Sequence, residues 1–161
     1  MSNTPITPDP PDTLVVSTDD SLLDLDVIHS FLSASYWSPG IARERLERAI
    51  RNSLNFGVYD RARPRVSDPA KASQVGFARV VTDRATYAYL CDVFVLESHR
   101  GRGASKRLMR AVLDHPELRG LRRFCLMTRD AHGLYGQFGF GPTPDPSRYM
   151  ERLDRESYKL P

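Results

Sequence analysis

The sequence predicts an α/β fold with one mixed sheet, which contains both antiparallel and parallel strands. Three observations lead to this prediction. Short β-forming runs follow one another closely in the first half of the chain, which is typical of an antiparallel meander. In the second half, apolar runs alternate with segments of helical periodicity, which is typical of parallel strands joined by crossover helices. The length of 161 residues suits one domain with its own hydrophobic core.

The predicted elements follow one another in the order β-α-α-β-β-β-α-β-α-β. Residues 1–12 (MSNTPITPDPPD) are polar and rich in proline, so they predict a disordered leader, and a single domain then spans residues 13–161. The predicted strands are residues 13–17, 56–60, 74–82, 86–95, 121–128 and 149–153. The predicted helices are about residues 21–34, 39–53, 104–114 and 131–137, the last one capped by Asp130.

The third helix has the clearest pattern, because four apolar residues recur at i, i+4, i+7 and i+8 and so share one face: Ala104, Leu108, Ala111 and Val112. His115 and Pro116 end this helix. The strands before it, 74–82 and 86–95, are separated only by residues 83–85, which predicts a hairpin.

The composition excludes several classes of protein. The net charge of +3, from 23 basic and 20 acidic residues, is too small to indicate binding of nucleic acid. No apolar run approaches the roughly 20 residues of a membrane span, and the N-terminal residues lack the apolar core of a signal peptide. Cys91 and Cys125 lie in apolar runs, which indicates reduced core thiols. We therefore expect a cytoplasmic protein that binds neither nucleic acid nor membranes.

A turn rich in glycine and arginine, residues 100–105 (RGRGAS), separates the longest predicted strand from the third helix. The first N–H groups of a helix are unpaired, and the helix dipole favours an anion beside them. Glycine lets the backbone approach phosphate oxygens closely, and the basic side chains at positions 100, 102, 106 and 107 add positive charge. The turn predicts a diphosphate site, with a solvated basic turn as the alternative.

Other phosphate-binding and catalytic motifs are absent from the sequence. There is no P-loop (Gly-x-x-x-x-Gly-Lys-Ser/Thr) and no Gly-x-Gly-x-x-Gly turn opening an N-terminal βαβ unit. Ser98 and His99 are not part of a Gly-x-Ser-x-Gly motif, so they do not indicate a hydrolase, and His99 is expected to be a solvated loop residue. No cluster of His, Cys and Asp has the spacing of metal ligands, so we expect no metal.

The turn resembles the Arg/Gln-x-x-Gly-x-Gly/Ala motif of the GNAT N-acetyltransferase superfamily. Arg100 takes the first position, Gly103 takes the fourth, and Ser105 stands where the family prefers Gly or Ala. Downstream, residues 132–140 (HGLYGQFGF) resemble the Leu-Tyr-x-x-x-Gly-Phe segment of the family. The spacing between the two motifs accommodates one helix, one strand and the start of a second helix, as that fold requires. The resemblance covers about residues 13–155.

The resemblance implies acetyl-CoA as the acyl donor. In this family the fourth and fifth strands splay apart, the pantetheine arm lies between them, and the diphosphate lies on the N–H groups of the turn. The residues that this implies for cofactor binding are Phe94, Val95, Arg100, Gly101, Arg102, Gly103, Ala104 and Ser105. Transfer in the family is usually direct, without a covalent intermediate or a metal, and Tyr135 takes the position of the general acid. Dimers are frequent in the family, so a homodimer is compatible with the resemblance.

Three further residues are candidates for the acceptor side of the site. Asp92 is the one charged residue between Thr86 and Val95, and a buried carboxylate needs a partner. It is either a general base, or an anchor for the acceptor amine, or a structural carboxylate that holds backbone N–H groups. Tyr36 and Trp37 lie between the first two helices, where the family often covers the acceptor site, although packing of Trp37 on the sheet explains it equally well.

Two functions from different classes remain open. The first is an N-acetyltransferase that moves an acetyl group from acetyl-CoA to a primary amine, either on a small molecule or on a protein. The second is a non-catalytic module that binds an acyl-CoA as a sensor or scaffold. The turn together with Tyr135 favours the enzyme, but the residues do not identify the acceptor.

Overall fold

The computed structural model describes residues 13–154 and 156–158, so the predicted leader, residues 1–12, lies outside the described residues. The strands are β1 (Leu14–Ser17), β2 (Leu54–Pro64), β3 (Ala72–Thr82), β4 (Tyr87–Val95) and β5 (Arg123–Leu126). The helices are α1 (Leu25–Ser33), α2 (Arg43–Arg51), α3 (Ala104–Asp114) and α4 (His132–Gly136). None of the helices in these described ranges is long and apolar enough to cross a membrane.

The five strands form one sheet and lie side by side in chain order. Strands β1 to β4 are antiparallel neighbours, whereas β5 runs parallel to β4. The parallel pair is joined by α3, which crosses over the sheet from the end of β4 to the start of β5. The predicted α/β fold with a mixed sheet, a meander first and a crossover helix afterwards, is confirmed.

A hydrophobic core lies on each face of the sheet. On one face α3 and α4 pack against the strands, and the buried side chains include Leu14, Phe56, Val80, Ala88, Leu90, Val95, Leu108, Met109 and Tyr135. On the other face α1 and α2 pack against β3 and β4, and the buried side chains are Ile28, Leu32, Ile41, Leu46, Ile50, Phe77 and Phe94. Strand β4 therefore contributes to both cores and forms the middle of the molecule.

Strands β4 and β5 pair along only part of β4. The parallel register runs from Tyr87 opposite Arg123 to Leu90 opposite Leu126. Beyond that point β4 continues to Val95 while β5 has ended, so no described strand pairs with the β5 side of residues 91–95. Backbone N–H and C=O groups must find partners when they are buried. This opening is therefore a place where another extended group could bind.

Strand β4 contains a β-bulge at Asp92. Arg79 of β3 lies opposite Cys91, and Phe77 of β3 lies opposite Phe94, so two residues of β4 face a single residue of β3. Asp92 has a φ of +56°, in the left-handed region, which Asp tolerates better than most residues other than glycine. The bulge directs the Asp92 side chain towards Arg79, whose strand partner is Cys91.

The predicted last strand is absent, because residues 149–154 form no regular structure. This prediction was wrong for a physical reason, since a strand at this position would need both a pairing partner and a buried face. The apolar side chains of the segment are instead exposed: Tyr149 at 56%, Met150 at 91% and Leu153 at 60%.

Three element boundaries differ from the prediction by four residues. Helix α1 begins at Leu25 and not at residue 21, because the Asp24 carboxylate accepts a hydrogen bond from Val27 N–H and caps the helix there. Helix α2 begins at Arg43 rather than near Pro39. Strand β2 extends through residues 61–64, predicted as a loop, because these residues continue the hairpin with β3 as far as Pro64 opposite Ala72.

Candidate active site

The predicted phosphate turn follows β4 and leads directly into α3. Gly101 and Gly103 have φ values of +76° and +77°, which glycine adopts without a Cβ clash. Among the described residues, no group accepts a hydrogen bond from the backbone N–H groups of residues 101–106. A Cβ on either glycine would find no described atom within 4 Å. The turn therefore presents several unpaired donors to open space, which is the arrangement that an anion requires.

The basic side chains around the turn have different environments. Arg100 is exposed and donates a long hydrogen bond from Nε to the Val95 carbonyl, at 3.4 Å. Lys106 is exposed as well. Arg107, in contrast, is half-buried and donates to the Leu14 carbonyl of β1. Arg102 is exposed too, but it pairs with Asp60, so Arg100 and Lys106 are the exposed cations beside the unpaired N–H groups for which no ion pair with a described residue is seen.

A buried polar cluster lies against the turn. Asp60 of β2 is 1% exposed and His99 is 3% exposed, and the Asp60 Oδ2 atom lies 3.2 Å from His99 Nε2 and 3.1 Å from Arg102 Nη1. The prediction that His99 is a solvated loop residue was therefore wrong. Burial alone would raise the pKa of Asp60, but the hydrogen bonds to its carboxylate outweigh burial and hold the pKa well below its usual range. Asp60 is thus an ionised carboxylate at neutral pH.

Asp92 forms a nearly buried ion pair. Its Oδ2 atom lies 2.7 Å from Arg79 Nε, and the two side chains are 7% and 16% exposed. Arg79 also donates from Nη1 to Ser53 Oγ at 3.0 Å. No described residue donates a hydrogen bond to the second carboxylate oxygen of Asp92. One oxygen of Asp92 is therefore engaged by Arg79, and the other is free to bind a further group.

Tyr135 lies near the end of α4 and is 9% exposed. Its ring meets that of Phe140 edge-on, with centroids 6.2 Å apart. Burial raises the pKa of Tyr135 to about 12, so the hydroxyl is protonated at neutral pH. No hydrogen bond joins this hydroxyl to a described residue, which leaves its proton available for donation.

Tyr36 and Trp37 lie in the loop between α1 and α2 and contact each other, with ring centroids 4.9 Å apart. Tyr36 is 47% exposed, and the Arg129 guanidinium lies over its ring, 3.8 Å from the centroid. Trp37 is half-buried beside Phe31, at 6.3 Å between ring centroids, and its indole Nε1–H is buried without a hydrogen-bond partner in the described part of the chain. The loop is therefore tied by Arg129 to the segment that leads into α4.

Both cysteines are free, as predicted, but each is half-buried rather than part of the deep core. Burial raises the pKa of Cys91 to about 12, so this thiol is protonated at neutral pH. The Sγ atom of Cys125 lies 2.9 Å from the Tyr87 hydroxyl on the neighbouring strand. This contact marks the side of the sheet that also carries Asp92 and Arg79.

The predicted site residues are divided between the two faces of the sheet. Tyr135 belongs to the core formed by α3 and α4, whereas Asp92 reaches Arg79 on the face that α1 and α2 cover. The opening beside residues 91–95 lies between them. No group of three His, Cys, Asp or Glu residues that could hold a metal ion occurs within residues 13–154 and 156–158.

Sequence reasoning missed several residues of the site: Asp60, Arg79 and Arg129. Each acts on a predicted residue that is distant in sequence, through contacts with Arg102, Asp92 and Tyr36 respectively. A lone acidic residue in an apolar β run is a signal that could have identified Asp60. The same signal at Asp92 could have led to Arg79, because a buried charge requires a partner of opposite charge.

Comparison with known proteins agrees with this architecture. The profile of the Acetyltransferase (GNAT) family matches residues 66–140. A protein of Gibberella zeae, whose name assigns it to the acetyltransferases, is 32% identical in an alignment of 136 positions that covers 76% of this chain and 76% of the relative. A protein of Xanthomonas campestris pv. campestris, whose crystal structure is assigned to the GNAT acetyltransferases, is 50% identical with a TM-score of 0.82. The match covers 91% of this chain and 97% of that one.

The mixed sheet, its opening beside β4 and the turn rich in glycine and arginine match the fold of an acetyltransferase. The extensive identity with the relatives is specific enough to name the family. The chain belongs to the GNAT acetyltransferase family. The glucosamine-6-phosphate N-acetyltransferase of Arabidopsis thaliana shares the fold, with a TM-score of 0.58 over 89% of this chain and all of its own, at only 12% identity.

Replacing Arg100 by Ala should weaken binding of CoA more than replacing Arg123 by Ala. Arg100 adjoins the unpaired N–H groups, whereas Arg123 is an exposed residue at the start of β5. The expected loss for Arg100→Ala is ~1.5–3 kcal/mol of binding free energy, the size of a charge-assisted contact. Calorimetric titration at low and high salt measures it, and the loss should shrink at high salt because salt screens exposed charges. Equal losses in both variants would contradict the assignment of Arg100.

Proposed function

We propose that this chain transfers an acetyl group from acetyl-CoA to a primary amine by direct attack of the amine on the thioester. The observation that carries the proposal is the run of unpaired N–H groups at residues 101–106, placed where β4 ends beside an open strand edge. Acetyl-CoA contains a diphosphate, which would bind to the unpaired N–H groups, and an extended amide chain, which would bind along the open strand edge.

The residues present fit such a donor. The N–H groups of the turn and the exposed cations Arg100 and Lys106 would hold the diphosphate, because both favour negative charge. The open backbone groups near Phe94 and Val95 would pair with the amides of the pantetheine arm. Bound acetyl-CoA supplies an activated thioester. The protein supplies its position and exclusion of water, and an aligned pair of reactants gains much of its rate from position alone.

Tyr135 is the residue proposed to donate a proton to the departing sulfur. The amine nitrogen forms a bond to the thioester carbon and gives up one proton to water, the C–S bond breaks, and the sulfur leaves with the electron pair of that bond and ends as a thiol. An ordinary thiol has a pKa of about 8.5. Because burial raises the pKa of Tyr135 to about 12, its hydroxyl stabilises the leaving thiolate by donating a hydrogen bond and need not transfer its proton completely.

Asp92 and Arg79 are proposed to define the acceptor side. Oδ2 of Asp92 is held by Arg79 Nε at 2.7 Å, which leaves the other carboxylate oxygen to anchor an ammonium group or, through water, to receive its proton. The amine would thus approach from the face that α1 and α2 cover, while Tyr135 acts from the opposite core. Tyr36, Trp37 and Arg129 would form the rim of this acceptor side.

A module that binds an acyl-CoA without turnover is the second candidate. One observation favours it: the single carboxylate proposed near the reacting atoms is already engaged by Arg79, with Oδ2 at 2.7 Å from Nε. Turnover would still be possible without this carboxylate. An amine that is neutral on arrival needs no base for its attack, and water in the opening could take up the proton that the nitrogen then loses. Both candidates therefore predict that the protein binds CoA, and only the enzyme is expected to turn over acetyl-CoA.

The test measures binding and turnover separately. CoA at 100 times its Kd should stabilise the folded protein by about 2.7 kcal/mol and raise its melting temperature by several degrees. Release of free thiol from acetyl-CoA should then accelerate when a suitable amine is added from a panel of small amines, amino acids and lysine peptides. Binding without acceleration by any amine would support the non-catalytic module, and absence of binding would refute both candidates.

A further inference from the structure

The backbone of the turn between β4 and α3 makes few interactions that would fix its conformation. Gly101 and Gly103 both adopt left-handed φ values, and glycine is the residue with the widest choice of backbone conformations. The N–H groups of residues 101–106 make no hydrogen bond to the described residues. Some other contact must therefore fix the directions of these donors before a ligand arrives.

The side chains of His99 and Arg102, on either side of Gly101, contact the same buried carboxylate, that of Asp60. Before the glycine, His99 Nε2 lies 3.2 Å from Asp60 Oδ2; after it, Arg102 Nη1 lies 3.1 Å from the same oxygen. The other oxygen, Oδ1, accepts hydrogen bonds from Thr13 Oγ1 at 2.5 Å and from Ala62 N–H at 3.0 Å. One carboxylate of β2 thus holds two points of the turn.

The histidine in this cluster is satisfied in one neutral form. If Nε2 carries the proton, it donates to Asp60, and Nδ1 accepts from the Ser98 hydroxyl at 2.8 Å. Both ring nitrogens then have partners although His99 is only 3% exposed. Arg102, at 39% exposure, supplies the positive charge that compensates Asp60. Asp60 therefore has a cationic partner without a ligand.

We propose that Asp60 and His99 are positioning residues for the acetyl donor, which hold the turn in its diphosphate-binding conformation through Arg102 and the backbone around Gly101. This inference rests on the proposed function and deepens it. It assigns to Arg102 a role different from that expected from its place in the motif: its guanidinium binds Asp60 and so acts on the diphosphate through the shape of the turn.

Asp60→Asn tests the proposal, because it keeps the size of the side chain and removes its charge. We expect the Kd for CoA to rise about tenfold or more, the size of one lost charge-assisted contact. The kcat/KM with acetyl-CoA should fall to a similar extent. With S-acetylpantetheine, a donor that lacks the diphosphate, kcat/KM should change less than twofold, since that donor does not reach the turn.

Two His99 variants keep the test decisive if Asp60→Asn does not fold. His99→Gln can still donate from its amide towards Asp60 and should bind CoA nearly as the unmodified protein does. His99→Leu removes that donor and should show the same selective loss as Asp60→Asn. A purely structural role would give equal changes for both donors in every variant.

Asp24→Asn is the matched control. Asp24 is also a largely buried carboxylate beside an arginine, with its Oδ2 atom 3.1 Å from Arg65 Nε and side chains 13% and 11% exposed, but it caps α1 and does not touch the turn. This variant should lose stability without losing preference for acetyl-CoA over S-acetylpantetheine. Circular dichroism at the assay temperature verifies that each variant is folded.

The outcomes separate this inference from the proposed function. If the unmodified protein does not bind CoA, the proposed function fails. If it binds CoA and the Asp60 and His99 variants bind equally well, or lose activity equally with both donors, the positioning role is overturned.

Discussion

Replacing Tyr135 by Phe is expected to lower turnover by roughly 10²- to 10⁴-fold, the usual contribution of general acid catalysis, while binding of CoA stays unchanged. The substitution keeps the ring that packs against Phe140 and removes only the hydroxyl. Because no described residue hydrogen-bonds that hydroxyl, its loss should leave no buried group without a partner. Single-turnover acetyl transfer is the appropriate measurement, since slow release of product would hide part of the effect.

Tyr59→Phe is the control for this prediction. Tyr59 is also buried, at 3% exposure, and its hydroxyl likewise has no hydrogen-bond partner among the described residues, but it belongs to β2 and lies away from the opening beside β4. Turnover should be unaffected in Tyr59→Phe. Full activity in Tyr135→Phe would show that water or another residue protonates the sulfur.

The pH dependence offers a second check on Tyr135. Since burial raises its pKa to about 12, the hydroxyl keeps its proton throughout the range from neutral pH to mildly alkaline pH. The rate should therefore show no decrease from ionisation of Tyr135 below about pH 11, as expected when a group titrates about one unit above that pH. A decrease centred near pH 9 that disappears in Tyr135→Phe would mean that the tyrosine ionises far more easily than its burial indicates.

Replacing Gly103 by Val should abolish the rise in melting temperature that CoA produces. The φ of +77° at this position costs a β-branched residue about 1–2 kcal/mol, and the new methyl groups would occupy the space in front of the unpaired N–H groups. The protein alone should therefore melt only a few degrees lower, since 1 kcal/mol corresponds to roughly 2–4 °C in a domain of this size. Thermal unfolding with and without CoA measures both effects.

Gly120→Val is the control for Gly103→Val, because the chain repeats the same local geometry outside the site. Gly120 has a φ of +72°, and a Cβ there would also find no described atom within 4 Å. It precedes β5 and not α3. Gly120→Val should show the same modest loss of stability and a normal response to CoA. If Gly103→Val also responds normally, the turn does not bind the cofactor.

What the sequence could predict was local. The order of strands and helices through α4 follows from periodicity within short segments, and the turn at residues 100–105 is one continuous motif that can be recognised without knowledge of the rest of the fold. Gly101 and Gly103 do adopt the left-handed conformations for which glycine is suited.

What the sequence could not predict depends on contacts between distant residues. His99 was predicted to be a solvated loop residue, whereas its partner Asp60 lies 39 positions away in sequence. The role of Asp92 stayed open for the same reason, since the pairing with Arg79 appears only when β3 and β4 are aligned. The last predicted strand failed because alternation of residues shows that a segment could be a strand, whereas a strand also needs a neighbour.

The bulge at Asp92 shifts the alternation of side chains between the two faces of β4 by one residue. Before it, the even-numbered Ala88 and Leu90 face α3; after it, the odd-numbered Val95 does, and the even-numbered Phe94 faces α1. Deleting one residue here would remove the bulge and leave Phe94 and Val95 on their present faces, whereas a regular strand with the present number of residues would exchange the two side chains between the cores. The extra residue therefore allows the even-numbered side chains before Asp92 and the odd-numbered Val95 after it to line the same core.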